Sequence, residues 1–168
     1  MNERWTASGV AAVVIAVAIG VGWWRSESRS QEALAPVPVA SSVVEVYKNP
    51  QCGCCGAWVS HLRTQGFVVN VHEVADTAAV REQHHVPAAL GSCHTATVNG
   101  YVIEGHVPAT DIRRLLKEKP AVAGLAVPGM PAGSPGMESS SPQAYQTLAF
   151  SAAAGESQMF ANHPAQRP

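Results

Sequence analysis

At 168 residues with a formal charge of −1, the chain can hold one ordinary domain with a hydrophobic core, and its singly scattered Lys and Arg form no basic stripe that would recruit nucleic acid by counterion release. Four cysteines are too few to knit a disulfide scaffold, so their clustering points to a site. No internal repeat is present.

Residues 9–24 read GVAAVVIAVAIGVGWW, uncharged throughout, with Arg4 before and Arg25 behind. A span needs about 20 apolar residues, a length reached from Trp5 to Trp24 with aromatic residues at both edges. One reading is therefore an uncleaved anchor in the inner membrane. The other is a secretory signal with its small-residue cleavage pattern at Ala33-Leu34-Ala35. Flanking charges are too balanced to set the orientation. Both readings divide the chain into an anchor or signal over 1–25, a Ser-, Pro- and Ala-rich linker over 26–42, and a domain outside the cytoplasm.

The domain is expected over 43–120. A β-branched run at 43–47 (VVEVY) predicts the first strand, and the cysteine cluster follows at once. Helical spacing over 57–65 puts Trp58 and Leu62 on one face, with Gly66 as the stop. Residues 67–74 alternate as a strand, and Asp76 caps a second helix that runs to about His84 before Val86-Pro87 ends it. Residues 95–98 and 101–104 make a hairpin across Asn99-Gly100, a pair suited to the positive backbone angles of a two-residue turn. A third helix over 108–119 turns Ile112, Leu115 and Leu116 inward, and Pro120 closes it. Beyond lie a Met-containing Gly/Pro loop over 121–138 and a tail over 139–168, rich in Ser, Ala, Gln and Pro. Partial disorder is expected in the tail, where 145–150 (YQTLAF) is strand-like.

These elements predict an α/β domain, a mixed sheet flanked by helices. Their order resembles that of a thioredoxin or glutaredoxin domain. Gln51-Cys52-Gly53-Cys54-Cys55-Gly56 carries the chemistry. Thiolates are the nucleophiles of disulfide exchange and preferred ligands of Cu(I) and Zn(II). Cys52 and Cys55 form a C-x-x-C pair between the first strand and first helix, where unpaired amides and the helix dipole favour a thiolate. Thioredoxin-like proteins keep their redox pair at this place. Laying the Asn99-Gly100 turn on the equivalent turn of that fold puts Cys93-His94-Thr95 on the segment packed against the C-x-x-C pair, with His94 where such proteins have proline. Cys93 is then expected to face the cluster.

Four motifs carry a more specific resemblance: CGCC-x-x-W at 52–58, SCHTA at 92–96, NGYVIEGHVP at 99–108 and GLAVPGMPAGSPGME at 124–138. Together they resemble the CopG-type copper-resistance proteins, thioredoxin-like and extracytoplasmic, over about 43–138. The resemblance implies a periplasmic protein that binds copper through its C-x-C-C cysteines and has redox capacity. Copper chaperones and efflux components of the periplasm would be its partners.

On this reading Cys52, Cys54, Cys55 and Cys93 are the expected ligands of Cu(I), enough sulfur for a bridged cluster as readily as for one ion. His94 and His106 are nitrogen candidates, each weighed against a purely structural ring. Met130 and Met137, both in Pro-Gly-Met, are thioether candidates that do not form disulfides; the alternative is that they seal the loop. His61, His72, His84 and His85 are read as solvated, His163 as a tail residue, and Trp58 as a core aromatic. Three alternatives stay open: a zinc site of four cysteines, although adjacent Cys54-Cys55 is awkward for one ion; a thiol-disulfide oxidoreductase with Cys52 attacking and Cys55 resolving; and plain disulfides, Cys52 to Cys55 and Cys54 to Cys93, which an oxidising compartment favours.

Overall fold

The computed structural model describes residues 42–151 and 156–165. The anchor or signal over 1–25, the linker up to residue 41 and the candidate cleavage site at Ala33-Leu34-Ala35 lie outside the described residues. Of the two units into which the chain divides, Met1–Val37 and Pro38–Pro168, the described residues all belong to the second. Among them no helix is long and apolar enough to cross a membrane.

In chain order the elements are β1 (Val43–Lys48), α1 (Gly53–Thr64), β2 (Val68–Glu73), α2 (Thr77–Gln83), a 3-10 turn (Ala88–Leu90), β3 (His94–Val98), β4 (Tyr101–Glu104), α3 (Ala109–Glu118), β5 (Gly124–Ala126), β6 (Tyr145–Phe150) and β7 (Ser157–His163). The strands form one mixed seven-stranded sheet in the order β2-β1-β3-β4-β5-β6-β7. β1 runs parallel to β2 and antiparallel to β3, with Lys48 opposite His94, so the end of β1 lies beside the start of β3.

Alternation sorts the strand residues onto two faces. Val44, Val46, Ala96, Ile103 and Leu125 pack with Trp58 and Leu62 of α1 and Ile112 and Leu115 of α3. Their neighbours Val102 and Ala126 turn the other way and join Val86, Leu90 and Phe150. The β3–β4 turn has positive φ at both Asn99 (47°) and Gly100 (84°), the conformation the dipeptide predicts. Asp76 caps α2 as expected, its carboxylate accepting from Ala78 and Ala79 N–H at 2.9 and 3.1 Å. α1 begins at Gly53, four residues earlier than its apolar spacing suggests, and so takes the cysteine cluster into its first turn.

The sheet runs past the expected boundary at Pro120, and the tail supplies a second strand besides the one at 145–150. β7 lacks a strong apolar rhythm and is held by polar side chains instead. His163 Nε2 lies 2.9 Å from Asp111 Oδ2 on α3, and Thr147 Oγ1 donates to the same oxygen at 2.6 Å. Tyr145 stacks on the His163 ring at 4.5 Å, and the Arg114 guanidinium lies 3.6 Å from the Phe160 ring centre. His163 is thus a structural tie between the tail hairpin and α3.

β5 joins this hairpin to the rest of the sheet, and it does so through a close approach. A Cβ added at Gly124 would overlap the backbone carbonyl of Val102 on β4. Gly124→Ala therefore forces β4 and β5 apart. The expected cost is about 1–3 kcal/mol, the range for overpacking a filled site, read as a lower urea midpoint at unchanged slope.

Candidate metal centre

Four sulfurs converge because two segments far apart in sequence are brought to one point. β1 ends at Lys48, and a turn closed by Cys52 N–H to the Asn49 carbonyl at 3.0 Å feeds α1. Cys52 is the N-cap, and Cys54 and Cys55 lie in the first turn, where helix amides favour thiolate. Cys93 precedes β3, and the pairing of β1 with β3 brings it to the tip of α1. Its sulfur lies 3.4 Å from Cys55 Sγ. Cys52 and Cys54 sulfurs are 3.5 Å apart. All four Sγ atoms lie within 4.8 Å of one another, as the sequence expected of Cys93.

Cys52 and Cys55 form a disulfide, with Cα atoms 5.3 Å apart; Cys54 and Cys93 are free thiols. Of the two pairings weighed from sequence, only the first is present. Cys93 also faces two imidazoles. His94 Nδ1 lies 3.3 Å and His106 Nε2 3.1 Å from its sulfur, and these three donors form a second group within 4.8 Å. Both rings are fully buried, His94 against Trp58 at 4.4 Å between ring centres. Trp58 itself donates from Nε1 to the Val107 carbonyl at 2.9 Å, a core aromatic as expected.

Protonation follows from these contacts. The Pro135 carbonyl accepts from His106 Nδ1 at 2.8 Å, which puts the proton there and leaves the Nε2 lone pair facing Cys93. Burial lowers the His106 pKa and takes that of His94 down to about 3. Nε2 of His94 has no partner of hydrogen-bond geometry, although the Gly105 backbone partly offsets the cost of charging the ring. Burial, with the electrostatic effect of neighbouring Cys54 behind it, pushes the Cys93 thiol up to about 12. With the His94 proton on Nε2, one S–H proton meets two buried lone pairs. It satisfies one of them, whereas a cation would satisfy all three donors at once.

Two supports were not foreseen from sequence. Fully buried Glu104 accepts from Ser92 N–H and Thr95 Oγ1, both at 2.7 Å, and pairs with Arg81 Nε at 3.2 Å. It thereby grips both sides of Cys93. Gly136, at φ 81°, packs so closely that an added Cβ would lie 2.7 Å from the Cys54 carbonyl and from Trp58 N. That contact seats the Gly/Pro loop on the first turn of α1.

The other candidates fall around this centre. Met130 is 53% exposed and Met137 partly buried, next to Gly136. His61, expected to be solvated, is partly buried and accepts from Ala109 N–H at 3.3 Å. His72 lies 2.6 Å from the Glu45 carboxylate and stacks on Tyr47. His84 is tilted against Tyr47 at 5.8 Å, and His85 is exposed.

Fold and site together define a class: a mixed α/β protein with a cysteine cluster able to hold a metal. Residues 90–137 match the family described as "Protein of unknown function, DUF411". Two solved structures titled "Copper resistance protein copG", Form 2 and Form 1, are similar at 42% and 43% identity. Their TM-scores are 0.68 and 0.69, and each match covers 73% of this chain and 98% of the other. No curated protein matches. The chain belongs to the CopG copper-resistance protein family.

The buried imidazoles make the metal-free protein sensitive to acid. Folded His94 accepts a proton only near about 3, against 6.5 for an ordinary histidine. Its stabilisation is therefore complete above about 6.5 and is lost as pH falls toward its folded value. Urea unfolding should show stability falling below pH 6.5, with His94 alone contributing up to about 1.4 kcal/mol per pH unit. That slope should shrink in His94→Gln.

Proposed function

We propose that the protein binds copper for copper resistance, taking Cu(I) as cargo in its dithiol-reduced state at Cys52, Cys54, Cys55 and Cys93. The observation that carries this reading is the convergence of four sulfurs from two distant segments, in a chain of a copper-resistance family. Soft thiolates select Cu(I), and thiolates this close can bridge more than one ion. His94 and His106, beside Cys93, serve as further nitrogen ligands, and Met137 and Met130 of the Gly/Pro loop as thioether ligands. Zinc is the weaker alternative, since adjacent Cys54 and Cys55 fit a bridged cluster better than one tetrahedral ion.

On this reading the domain is thioredoxin-like, a description supported by the order of its first seven elements and the C-x-x-C pair at the start of α1. It works in the periplasm, tethered by the apolar stretch at 9–24 or released after its cleavage. There it exchanges metal with copper chaperones or efflux components. A binding protein is the primary reading.

The Cys52–Cys55 disulfide supports a second, enzymatic reading. A reduced Cys52 would attack a substrate disulfide, and Cys55 would resolve the mixed disulfide, leaving the bond seen here. Copper held beside such a pair would allow exchange between Cu(I) and Cu(II).

Anaerobic Cu(I) titration of the reduced protein separates the two. Bound copper should raise the near-ultraviolet absorption of Cu(I) thiolates, and Cys54→Ser and Cys93→Ser should each weaken binding by about tenfold or more. Disulfide-reductase turnover that survives Cys54→Ser but not Cys52→Ser, without copper uptake by the wild type, would favour the enzyme instead.

A further inference from the structure

We infer that the oxidised protein keeps a metal site of its own at Cys93, His94 and His106, for a borderline divalent ion of the Co(II), Cu(II) or Zn(II) kind. The Cys52–Cys55 disulfide would then select between two donor sets that share Cys93. This goes beyond the four-sulfur reading, because it concerns the state in which that set is dismantled.

The two sets respond differently to one bond. Closing the disulfide removes Cys52 and Cys55 as thiolates and reduces the sulfur set to Cys54 and Cys93. It consumes no donor of the second set, whose members come from the segment before β3, from β3 itself and from the turn after β4. Those three donor atoms already lie within 4.8 Å of one another while the disulfide is closed.

Donor chemistry separates the sets further. Four thiolates suit a soft monovalent ion; one thiolate with two neutral imidazoles suits a borderline divalent one. The imidazoles are prepared for this role. Pro135 fixes the His106 tautomer with its Nε2 lone pair toward Cys93, and both rings are fully buried with a nitrogen 3.1 to 3.3 Å from its sulfur. The fully buried His94 ring, with Nε2 lacking a hydrogen-bond partner and Nδ1 3.3 Å from the Cys93 sulfur, is the second sign that a cation belongs there. One thiolate leaves a divalent ion with a net positive charge. Glu138, whose charge acts on His106, partly offsets it.

The switch between states is balanced by an external dithiol. The dithiol gives two electrons and two protons to the Cys52–Cys55 bond and leaves as its own disulfide, and Cys52 and Cys55 become thiols. Reduction thus opens the four-sulfur set.

The test uses the full chain, oxidised and titrated anaerobically with Co(II), an ion that does not oxidise thiols. The wild type should show a thiolate-to-cobalt charge-transfer band with intensified visible bands. Cys93→Ser, nearly isosteric, should abolish the charge-transfer band, and His106→Asn should weaken binding by about tenfold or more. In Cys54→Ser the charge-transfer band should persist, His85→Asn, an exposed ring outside the centre, should leave band and binding unchanged, and circular dichroism checks the fold of each variant. The inference is overturned if natively folded wild type gives no such band, if the band persists at full strength in folded His106→Asn, or if Cys54→Ser removes it. Cu(I) uptake by the reduced protein decides the four-sulfur reading separately, so either can fail alone.

Discussion

A buried carboxylate sets the geometry of the whole centre. Glu104 has no exposure, and its two oxygens are taken up by Ser92 N–H, Thr95 Oγ1 and Arg81. Ser92 and Thr95 bracket Cys93 and His94, so one side chain on β4 fixes the two residues that face the first turn of α1. Burial raises the pKa of this carboxyl, and the three partners oppose the rise. Removing one member of such a network strands the others away from water, which commonly costs about 3–5 kcal/mol. A side chain that bonds to Ser92, Thr95 and Arg81 therefore braces the segment that the β1–β3 pairing brings to the cluster.

The walls of the pocket follow from the same logic of close approach. Gly105 (φ 71°) lets the turn carrying His106 press on Ser92, where a Cβ would fall 2.5 Å from the hydroxyl oxygen. Gly136 does the same for the Gly/Pro loop on α1, and that loop returns the Pro135 carbonyl that orients His106. Trp58 closes the inner side, anchored to Val107 one residue beyond His106. The result is a site with sulfur on its helix side and nitrogen on its sheet side, and Cys93 belongs to both.

The first seven helices and strands were legible from sequence because local signals mark them: β-branching in β1, alternation in β2, Asp76 at a helix start, Asn-Gly at a turn, Pro120 at a stop. The four-cysteine convergence was legible only through a fold-level comparison, since no local pattern relates Cys93 to Cys52. β5 and β7 left little trace. β5 has three residues and owes its place to a missing Cβ, and β7 is held by Asp111 and Arg114, which lie on a helix about 50 positions earlier. The tie of Glu104 to Ser92 was hidden for a related reason: a glutamate ending a hairpin strand reads as solvent-facing until the 3-10 turn and α2 are laid over it. Polar contacts between distant segments have no periodicity, and so composition and spacing do not reveal them.

What makes the centre poised for metal is a shortage of protons as much as an abundance of sulfur. In water, two imidazoles and a thiol would satisfy their lone pairs with solvent. Buried together, they have two ring protons and one thiol proton. The His106 ring proton is committed to Pro135, and the His94 ring proton has no partner of hydrogen-bond geometry. With the His94 proton on Nε2, one lone pair of each ring faces Cys93, and its single proton leaves one of the two open. Protonating a ring would meet the deficit but places charge in a site that holds His94 neutral until about 3. A cation that displaces the Cys93 proton meets it without that penalty, because the thiolate formed offsets part of the charge brought in. The polar frustration built into this pocket is therefore the same quantity that a bound ion would release.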